Sequence, residues 1–386
     1  MKTKNKRKFL NINIHANSNK DINLLAVVVV FCVVFLSVFG CVMVYSASSY
    51  SAYVNYGNEY FFLTKQIIGV ALGLLALLMM SFVNYEKLKR FKMWAVYISV
   101  FLLVLVFVPF IGIENYGAKR WIGFSGFSLQ PSEIAKFALV FFCAVHLSEN
   151  YESAKTFKTI FPPLCVGGVL CLLVFIEPNM SITICMLMVL LIMLFIGGIS
   201  KKHFMVLGGA GAALIPALIL IEPYRVKRLL AFVDPWASPQ GEGFQLIQSL
   251  YALGSGGLFG VGLFDSRQKY LFLPFSESDF IFSIIAEELG FFGCIFVIFV
   301  FVLLIYALIR IAQKAKDRFG TLLVAGVASI IGVQTILNIA VISGSIPPTG
   351  LPLPFISAGS TSLVVFMAAI GLCLNVLKQS KKNKIN

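Results

Sequence analysis

Charged side chains are scarce in this sequence. They make up 12% of the 386 residues, whereas hydrophobic residues make up 59%, and the mean hydropathy is +0.91. A soluble domain of this length needs far more charged surface, so the composition excludes one and indicates a chain that crosses a membrane many times. The expected fold class is all-α, a polytopic integral membrane protein with about ten transmembrane helices.

Cysteine pairs and clustered histidines are also missing. The eight cysteines lie in apolar runs and none forms a CxxC pair, which argues against a disulfide framework or a zinc site. The three histidines, His15, His146 and His203, are far apart in sequence, so a histidine-based mechanism is disfavoured. The net charge of +14 does not indicate a nucleic-acid partner, because the excess lies in tails and short loops.

Long apolar runs account for most of the chain. The first begins at residue 22 and is too long for the core of a cleaved signal peptide, so we expect it to remain as a span. The runs cover residues 22–45, 61–83, 93–113, 132–147, 159–176, 180–199, 204–221, 280–308, 321–342 and 357–377. The sequence thus predicts a ten-helix membrane domain over residues 22–377, between an N-terminal tail over 1–21 and a C-terminal tail over 378–386.

The distribution of basic residues predicts the orientation. Ten spans place both termini on one side, and 22 of the 31 lysines and arginines fall on that side, so we expect both tails to be cytoplasmic. The longest outer connection then covers residues 222–278, between the seventh and eighth spans. Its stretch 243–264 is amphiphilic, broken by glycines and too short to span, so we expect it to re-enter the membrane or to lie on its surface.

The stretch 254–290 is polar and glycine-broken, and its last part predicts a helix that begins within 276–279, where Ser276 and Ser278 would cap it. Asp279, Ser283 and Glu287 then follow one another in steps of four on one face of an otherwise apolar helix. The simple interpretation is that Asp279 caps the helix and Glu287 pairs with a basic side chain. Ionisable groups in membrane spans cost several kcal/mol, however, and usually carry function.

A second polar stretch covers residues 116–136. Pro131 fits the first turn of a new helix, and Glu133 and Lys136, three residues apart, would face each other on its surface. A structural ion pair explains these two residues equally well. The run Lys119, Arg120 and Trp121, also within this stretch, suits a membrane interface, where tryptophan lies at headgroup depth and cations meet phosphates.

Several ordered motifs resemble the SEDS proteins (shape, elongation, division and sporulation). They are VYSAS from Val44, KRWI from Lys119, LQPSEIAK from Leu129, YRVKRLLAFVDPW from Tyr224, GFQLIQSLYALGSGGLFGVGL from Gly243, SRQK from Ser266, SDFIF from Ser278, EELG from Glu287 and PPTGLPLPFIS from Pro347. The resemblance covers about residues 42–375 and is closer to the division and sporulation branch, FtsW and SpoVE, than to the elongation branch, RodA. Phe275 departs from the pattern, because relatives usually have a glutamate there.

The resemblance implies a peptidoglycan glycosyltransferase that polymerises lipid II, the polyprenyl-diphosphate disaccharide-pentapeptide, at the outer face of the bacterial cytoplasmic membrane. It implies a class B penicillin-binding protein (a transpeptidase), the divisome or sporulation cell-wall machinery, and membrane lipids as partners, and the division septum as the location. Attack of an acceptor 4-hydroxyl on a sugar diphosphate needs a base near the hydroxyl and positive charge near the leaving group. Asp279 is the candidate base, or the ligand of a divalent cation (Mg²⁺ or Mn²⁺) that activates the hydroxyl. No organic cofactor is expected.

The other motif residues are assigned to the substrates. The candidates for the pyrophosphate are Lys119, Arg120, Lys136, Arg267 and Lys269. The supporting residues are Trp121, Gln130, Ser132, Glu133, Gln248, Gln268, Glu287, Pro354 and Ser357.

Two other functions are alternatives to the enzyme. A lipid II flippase would also have many spans and buried charges, but transporters tend to have repeated halves with sites at the midplane. Here the charges cluster at the outer ends of the spans and no internal repeat is visible. A scaffold that merely recruits a synthase would leave Asp279 and Glu287 without a role.

Overall fold

The computed structural model describes residues 2–115, 118–124 and 127–382. Met1, residues 116–117 and 125–126 of the second polar stretch, and the end of the predicted C-terminal tail at 383–386 lie outside the described residues. Nine helices within the described ranges are long and apolar enough to cross a membrane. They are α1 (Lys2–Tyr56), α2 (Phe61–Phe82), α5 (Pro131–Glu149), α6 (Phe157–Ile176), α7 (Met180–Gly197), α8 (Lys201–Leu220), α11 (Ile281–Lys314), α12 (Arg318–Ile342) and α13 (Ser360–Lys382). The predicted all-α polytopic fold is confirmed.

The third predicted span is shorter than its apolar run. After a short helix α3 (Tyr85–Leu88) and a 3₁₀ turn, α4 (Lys92–Leu105) has 14 residues, which is about 21 Å at 1.5 Å per residue. It packs against α5 and α6. The prediction of one run to residue 113 was wrong at its end, because residues 112–115 pair with a neighbouring strand instead.

That pairing is part of a small antiparallel sheet that leads into α5. Its strands are β1 (Gly112–Asn115), β2 (Ala118–Phe124) and β3 (Phe127–Leu129). The register pairs Ile113 with Trp121 and Ile122 with Leu129. Each strand is too short to cross a membrane. The sheet brings residues 119–121 close to α5, which β2 contacts.

The connection 222–278 contains α9 (Pro223–Val233), a 3₁₀ turn and α10 (Phe244–Gly256). With 11 and 13 residues, neither helix reaches the about 20 residues that a span needs. α10 packs on α11. The Ser249 hydroxyl lies 2.9 Å from the Ser283 hydroxyl and donates to the Ile342 carbonyl at 2.9 Å, so α10 is fixed to two spans.

α11 is broken at Gly290, whose φ of 66° and ψ of −165° lie outside the helical region. Only glycine adopts this conformation without strain. The backbone groups released by the break find partners in the segment after α10: the Val261 N–H donates to the Glu287 carbonyl at 2.9 Å, and the Phe291 N–H donates to the Gly257 carbonyl at 2.9 Å. Irregular backbone at this depth is tolerated because protein groups, not lipid, cover it.

Most residues of α5 and α12 are buried, and the two helices contact each other at the centre of the bundle. α13 packs along α2, and α1 packs along α11. The segment 343–359 between α12 and α13 has no regular secondary structure, yet all of it except Ser343 and Ser345 is buried or half-buried. Its backbone polar groups therefore need partners from the surrounding helices.

Candidate active site

Asp279 lies in a run of turns directly before α11. The helix was predicted to begin within 276–279, but it begins at Ile281, so this prediction was wrong. Its N-cap residue is Phe280, and in the described chain no side chain makes a capping hydrogen bond there. The Ser276 hydroxyl instead donates to the Ala47 carbonyl at 3.1 Å. Tertiary hydrogen bonds thus hold this run outside the helix, and Asp279 does not share a helix face with Ser283 and Glu287.

Three consecutive carbonyls, those of residues 277–279, accept hydrogen bonds from other elements. The donors are the Ala358 N–H to residue 277 at 2.9 Å, the Ser357 hydroxyl to residue 278 at 2.6 Å and the Asn338 amide to residue 279 at 2.8 Å. The Leu353 N–H in turn donates to the Ser357 hydroxyl at 2.7 Å. The backbone under Asp279 is therefore fixed by α12 and by the 347–359 segment.

Asp279 is half-buried, and Arg120 and Arg228 lie near enough for their charges to act on its carboxylate. Burial raises the pKa of Asp279 to about 6, and the neighbouring Arg120 and Arg228 oppose this shift. The nearby Glu277 adds to it. The pKa of Asp279 is therefore close to the value that suits proton transfer near neutral pH.

Glu133 and Lys136 form the ion pair that their spacing predicts, and it is fully buried. The Lys136 ammonium donates to Glu133 Oε1 at 2.9 Å and to Gln334 Oε1 on α12 at 2.6 Å. The Ser362 hydroxyl donates to the other Glu133 oxygen at 2.8 Å. The pair therefore joins α5 to α12 and α13.

Three side-chain amides that the sequence analysis did not single out hold the 347–359 segment. Gln334 donates to the Pro352 carbonyl at 2.7 Å, and Asn338 donates to the Leu351 carbonyl at 2.6 Å. Gln66 on α2 donates to two carbonyls of residues 356–357 at 3.4 and 3.3 Å. A usable signal was present, because polar side chains inside apolar membrane helices are rare and usually have a specific partner.

The cations that the sequence predicts to bind the pyrophosphate differ in how far they are exposed. Arg120 on β2 is partly exposed and donates to the carbonyls of Glu177, at 3.4 Å, and of Pro178. Lys119 is exposed, and Trp121 is half-buried. Arg228 on α9 was not predicted, although it lies close enough to Asp279 to affect its titration.

Glu177 is a buried acid beside these cations. Its side chain is fully buried, and neither carboxylate oxygen has a hydrogen-bond partner in the described part of the chain. Burial raises the pKa of Glu177 to about 8, and the positive charge of Arg120 opposes the shift.

A second polar cluster lies behind the break in α11. Glu287 is buried and accepts hydrogen bonds from the Ser266 hydroxyl and from the backbone N–H groups of Arg267, at 3.0 Å, and Gln268, at 3.3 Å. Through these contacts Glu287 stabilises the turn formed by residues 264–269. The Arg267 residue itself is exposed.

Lys269 is buried, unlike Arg267, and pairs with Glu288 at 3.3 Å. Its ammonium also donates to the Ser46 hydroxyl at 3.4 Å and to the Phe264 carbonyl. The 264–269 turn is thereby attached to α1.

The structure also describes the remaining predicted residues. Gln130 precedes α5, and Ser132 is buried with its hydroxyl unpartnered among the described residues. Gln248 is half-buried on α10, and Pro354 is buried in the 347–359 segment.

A metal ligand was the second role considered for Asp279. In the ranges that the structure describes, no three His, Cys, Asp or Glu side chains come together as a ligand set. The charged groups around Asp279 include two guanidinium groups, which repel a cation. A divalent cation at Asp279 stays a prediction, because Mg²⁺ is often held by one or two carboxylates together with substrate phosphates.

Known proteins are similar to this chain over most of its length. The family model described as "Cell cycle protein", covering FtsW, RodA and SpoVE, matches residues 26–382. Stage V sporulation protein E of Bacillus subtilis is 39% identical over 343 residues, covering 89% of this chain and 94% of the relative. A probable peptidoglycan glycosyltransferase FtsW of Geobacter sp. (strain M18) is 39% identical over 353 residues, covering 90% and 95%.

Solved structures share the fold. A chain from a study of a peptidoglycan synthase complex superposes with a TM-score of 0.75 at 28% identity, covering 91% of this chain and 97% of that chain. Rod shape determining protein RodA of Thermus thermophilus superposes with a TM-score of 0.66 at 25% identity, covering 91% and 96%. Because the family model spans almost the whole sequence and the relatives match at this identity, this chain belongs to the FtsW/RodA/SpoVE family of cell cycle proteins.

Proposed function

We propose that this chain is a peptidoglycan glycosyltransferase that polymerises lipid II during cell division or sporulation. The observation that carries the proposal is the Asp279 carboxylate, which is held by a fixed backbone at the mouth of an apolar bundle beside two arginines. The FtsW relatives named as probable peptidoglycan glycosyltransferases support the same reaction class.

In the proposed reaction, Asp279 accepts the proton of the acceptor 4-hydroxyl as that oxygen attacks C1 of the donor sugar. The new C1–O4 bond forms while the bond from C1 to the polyprenyl diphosphate breaks, and the diphosphate leaves with the bonding electron pair. Arg120 and Arg228 lie where they offset the negative charge that develops on the leaving group. The polyprenyl chains lie among the spans, so both sugars are confined to the mouth before reaction.

Lys136 and Lys269 have a different place in this proposal. Both ammonium groups are buried against protein acceptors, so a direct contact with the pyrophosphate requires rearrangement of those partners. We propose that Arg120 and Lys119 contact the diphosphate directly, and that Lys136 lies below these two residues, inside the protein. Arg267 is exposed and available to substrate from the outer side.

A class B penicillin-binding protein is the proposed partner. The similar solved structure comes from a complex that coordinates polymerization and crosslinking, and a polymerase of this kind leaves crosslinking to a second protein. We propose that the pair works at the division septum or in the sporulation cell-wall machinery, as the relatives' names suggest.

Purified full-length chain incubated with fluorescent lipid II tests the proposal directly. We expect glycan ladders on a gel, with the candidate partner present or absent, and loss of the ladders in a parallel reaction with a chelator would support the predicted divalent cation at Asp279. A reconstituted chain that moves lipid II across the bilayer but never polymerises it, with every candidate partner, would contradict the proposal and favour the flippase.

The proposed reaction requires the mouth to face outwards, with both tails in the cytoplasm. In a cysteine-free background, we expect Gln240→Cys in the 222–278 connection to react with a membrane-impermeant maleimide on intact cells. Lys155→Cys, between α5 and α6, should react after lysis and not before. Both positions are exposed, so accessibility to the reagent is matched, and the opposite labelling pattern would refute the orientation.

A further inference from the structure

Gly350 in the 347–359 segment lies against the Asp279 carboxylate. A Cβ atom placed on Gly350 would lie 2.6 Å from Asp279 Oδ2 and 3.6 Å from its Cγ. Real Cβ atoms do not approach other heavy atoms so closely, so an added methyl group and the carboxylate cannot occupy their places together. Asp279 is the one residue within 4 Å of that position in the described chain, apart from the chain neighbours of Gly350.

We propose that Gly350 is a positioning residue for the transfer reaction: its missing side chain provides the space in which the Asp279 carboxylate is held. This inference rests on the proposed function, in which Asp279 is the base. It assigns to the 347–359 segment a role in setting the direction of the carboxylate, in addition to its hydrogen bonds to the backbone.

The surrounding contacts prevent the segment from simply moving away. One Asn338 amide donates both to the Asp279 carbonyl at 2.8 Å and to the carbonyl of Leu351 at 2.6 Å. The two backbones on either side of the contact are thus held to the same side chain of α12. An alanine at position 350 must therefore displace the carboxylate through its side-chain torsions, by roughly 1 Å, and shifts of that size can cost about a hundredfold in rate.

The substitution is compatible with folding. Gly350 does not have a left-handed backbone conformation, so alanine meets no backbone strain there. The clash involves the end of a side chain that can rotate, not a backbone atom. Gly359 in the same segment offers a matched control, because a Cβ there would meet its nearest neighbour, Ser362 Cβ, at an ordinary 3.7 Å.

The test compares Gly350→Ala with Gly359→Ala in the full chain. Initial rates of polymerisation are measured over a range of fluorescent lipid II concentrations, and melting temperatures are measured in the same detergent. We expect Gly350→Ala to lower kcat by about 10- to 100-fold with little change in KM and melting temperature, and Gly359→Ala to behave as the parent chain. A loss of transition-state positioning lowers kcat in this way, whereas a purely structural defect also lowers the melting temperature.

Three results would overturn the inference: a Gly350→Ala chain with the parent kcat, one that fails to fold, or an equal loss in Gly359→Ala. Asp279→Asn, measured in parallel, separates this failure from that of the proposed function. An inactive Asp279→Asn with a fully active Gly350→Ala removes the positioning role alone. An active Asp279→Asn removes the base, and the positioning role falls with it.

Discussion

Asp279→Asn is expected to insert, fold and bind its partner as the parent chain does, yet to make no glycan. Asparagine keeps the size of the side chain, and the Asn338 hydrogen bond is made to the backbone of residue 279, so the local structure is retained. Loss of a general base typically removes on the order of a hundred- to ten-thousand-fold in rate. A gel assay with fluorescent lipid II would then detect no ladder at matched protein concentration.

Two further variants sharpen this result. Asp279→Glu should recover part of the activity at most, because the added methylene moves the carboxylate by about an ångström. Asp265→Asn, which neutralises an exposed acid in the 222–278 connection, should polymerise normally and so controls for the change in net charge. Ladders from Asp279→Asn close to those of the parent would transfer the role of base to another carboxylate.

Loss of either partner of the Glu133–Lys136 pair is the second large effect that we expect. Each alanine variant leaves the other charge buried and unpaired, because both side chains are about 1% exposed or less. Breaking a buried pair in this way costs about 3–5 kcal/mol. We expect both single variants to lose polymerisation and to melt at lower temperature than the parent chain.

The charge-swapped double variant, Glu133→Lys with Lys136→Glu, separates structure from chemistry. The swap restores a neutral pair on the same helix and should recover much of the melting temperature. Polymerisation should remain poor, because the swap moves the cation that lies below the proposed diphosphate contacts from position 136 to position 133. Full activity of the swapped chain would instead mean that the pair has a structural role alone, which its contacts with Gln334 and Ser362 also permit.

The sequence was sufficient for the spans and for local pairs. Apolar runs identify membrane helices because a span needs a fixed length of apolar chain. The largest overshoot is the third run, predicted to residue 113, because α4 ends at Leu105 and residues 112–113 belong to β1. Glu133 and Lys136 were found because a spacing of three brings two side chains to one face of a helix. Both inferences depend on contacts within one element.

Contacts between distant elements could not be read in the same way. Asp279 was placed in a helix because its local signals favour one, but Asn338, 59 residues later, holds its carbonyl in a turn. Glu287 was grouped with Asp279 by helical spacing, whereas its partners come from the preceding turn at 266–268. Arg228 comes near Asp279 through the tertiary placement of α9, which no spacing rule predicts from the sequence.

The network around Lys136 also has a consequence for the order in which the protein is made. Its partner Gln334 follows 198 residues later, and Ser362 follows Glu133 by 229 residues. At about 5–20 residues per second, a ribosome needs roughly 10–40 s to synthesise about 200 residues. Before α12 and α13 are synthesised, the network can contain only the Glu133–Lys136 pair, because both residues lie on α5. The hydrogen bonds that hold the backbone of Asp279 are therefore completed last, because a nascent chain that stalls before α12 holds most of the spans but lacks Gln334 and Asn338.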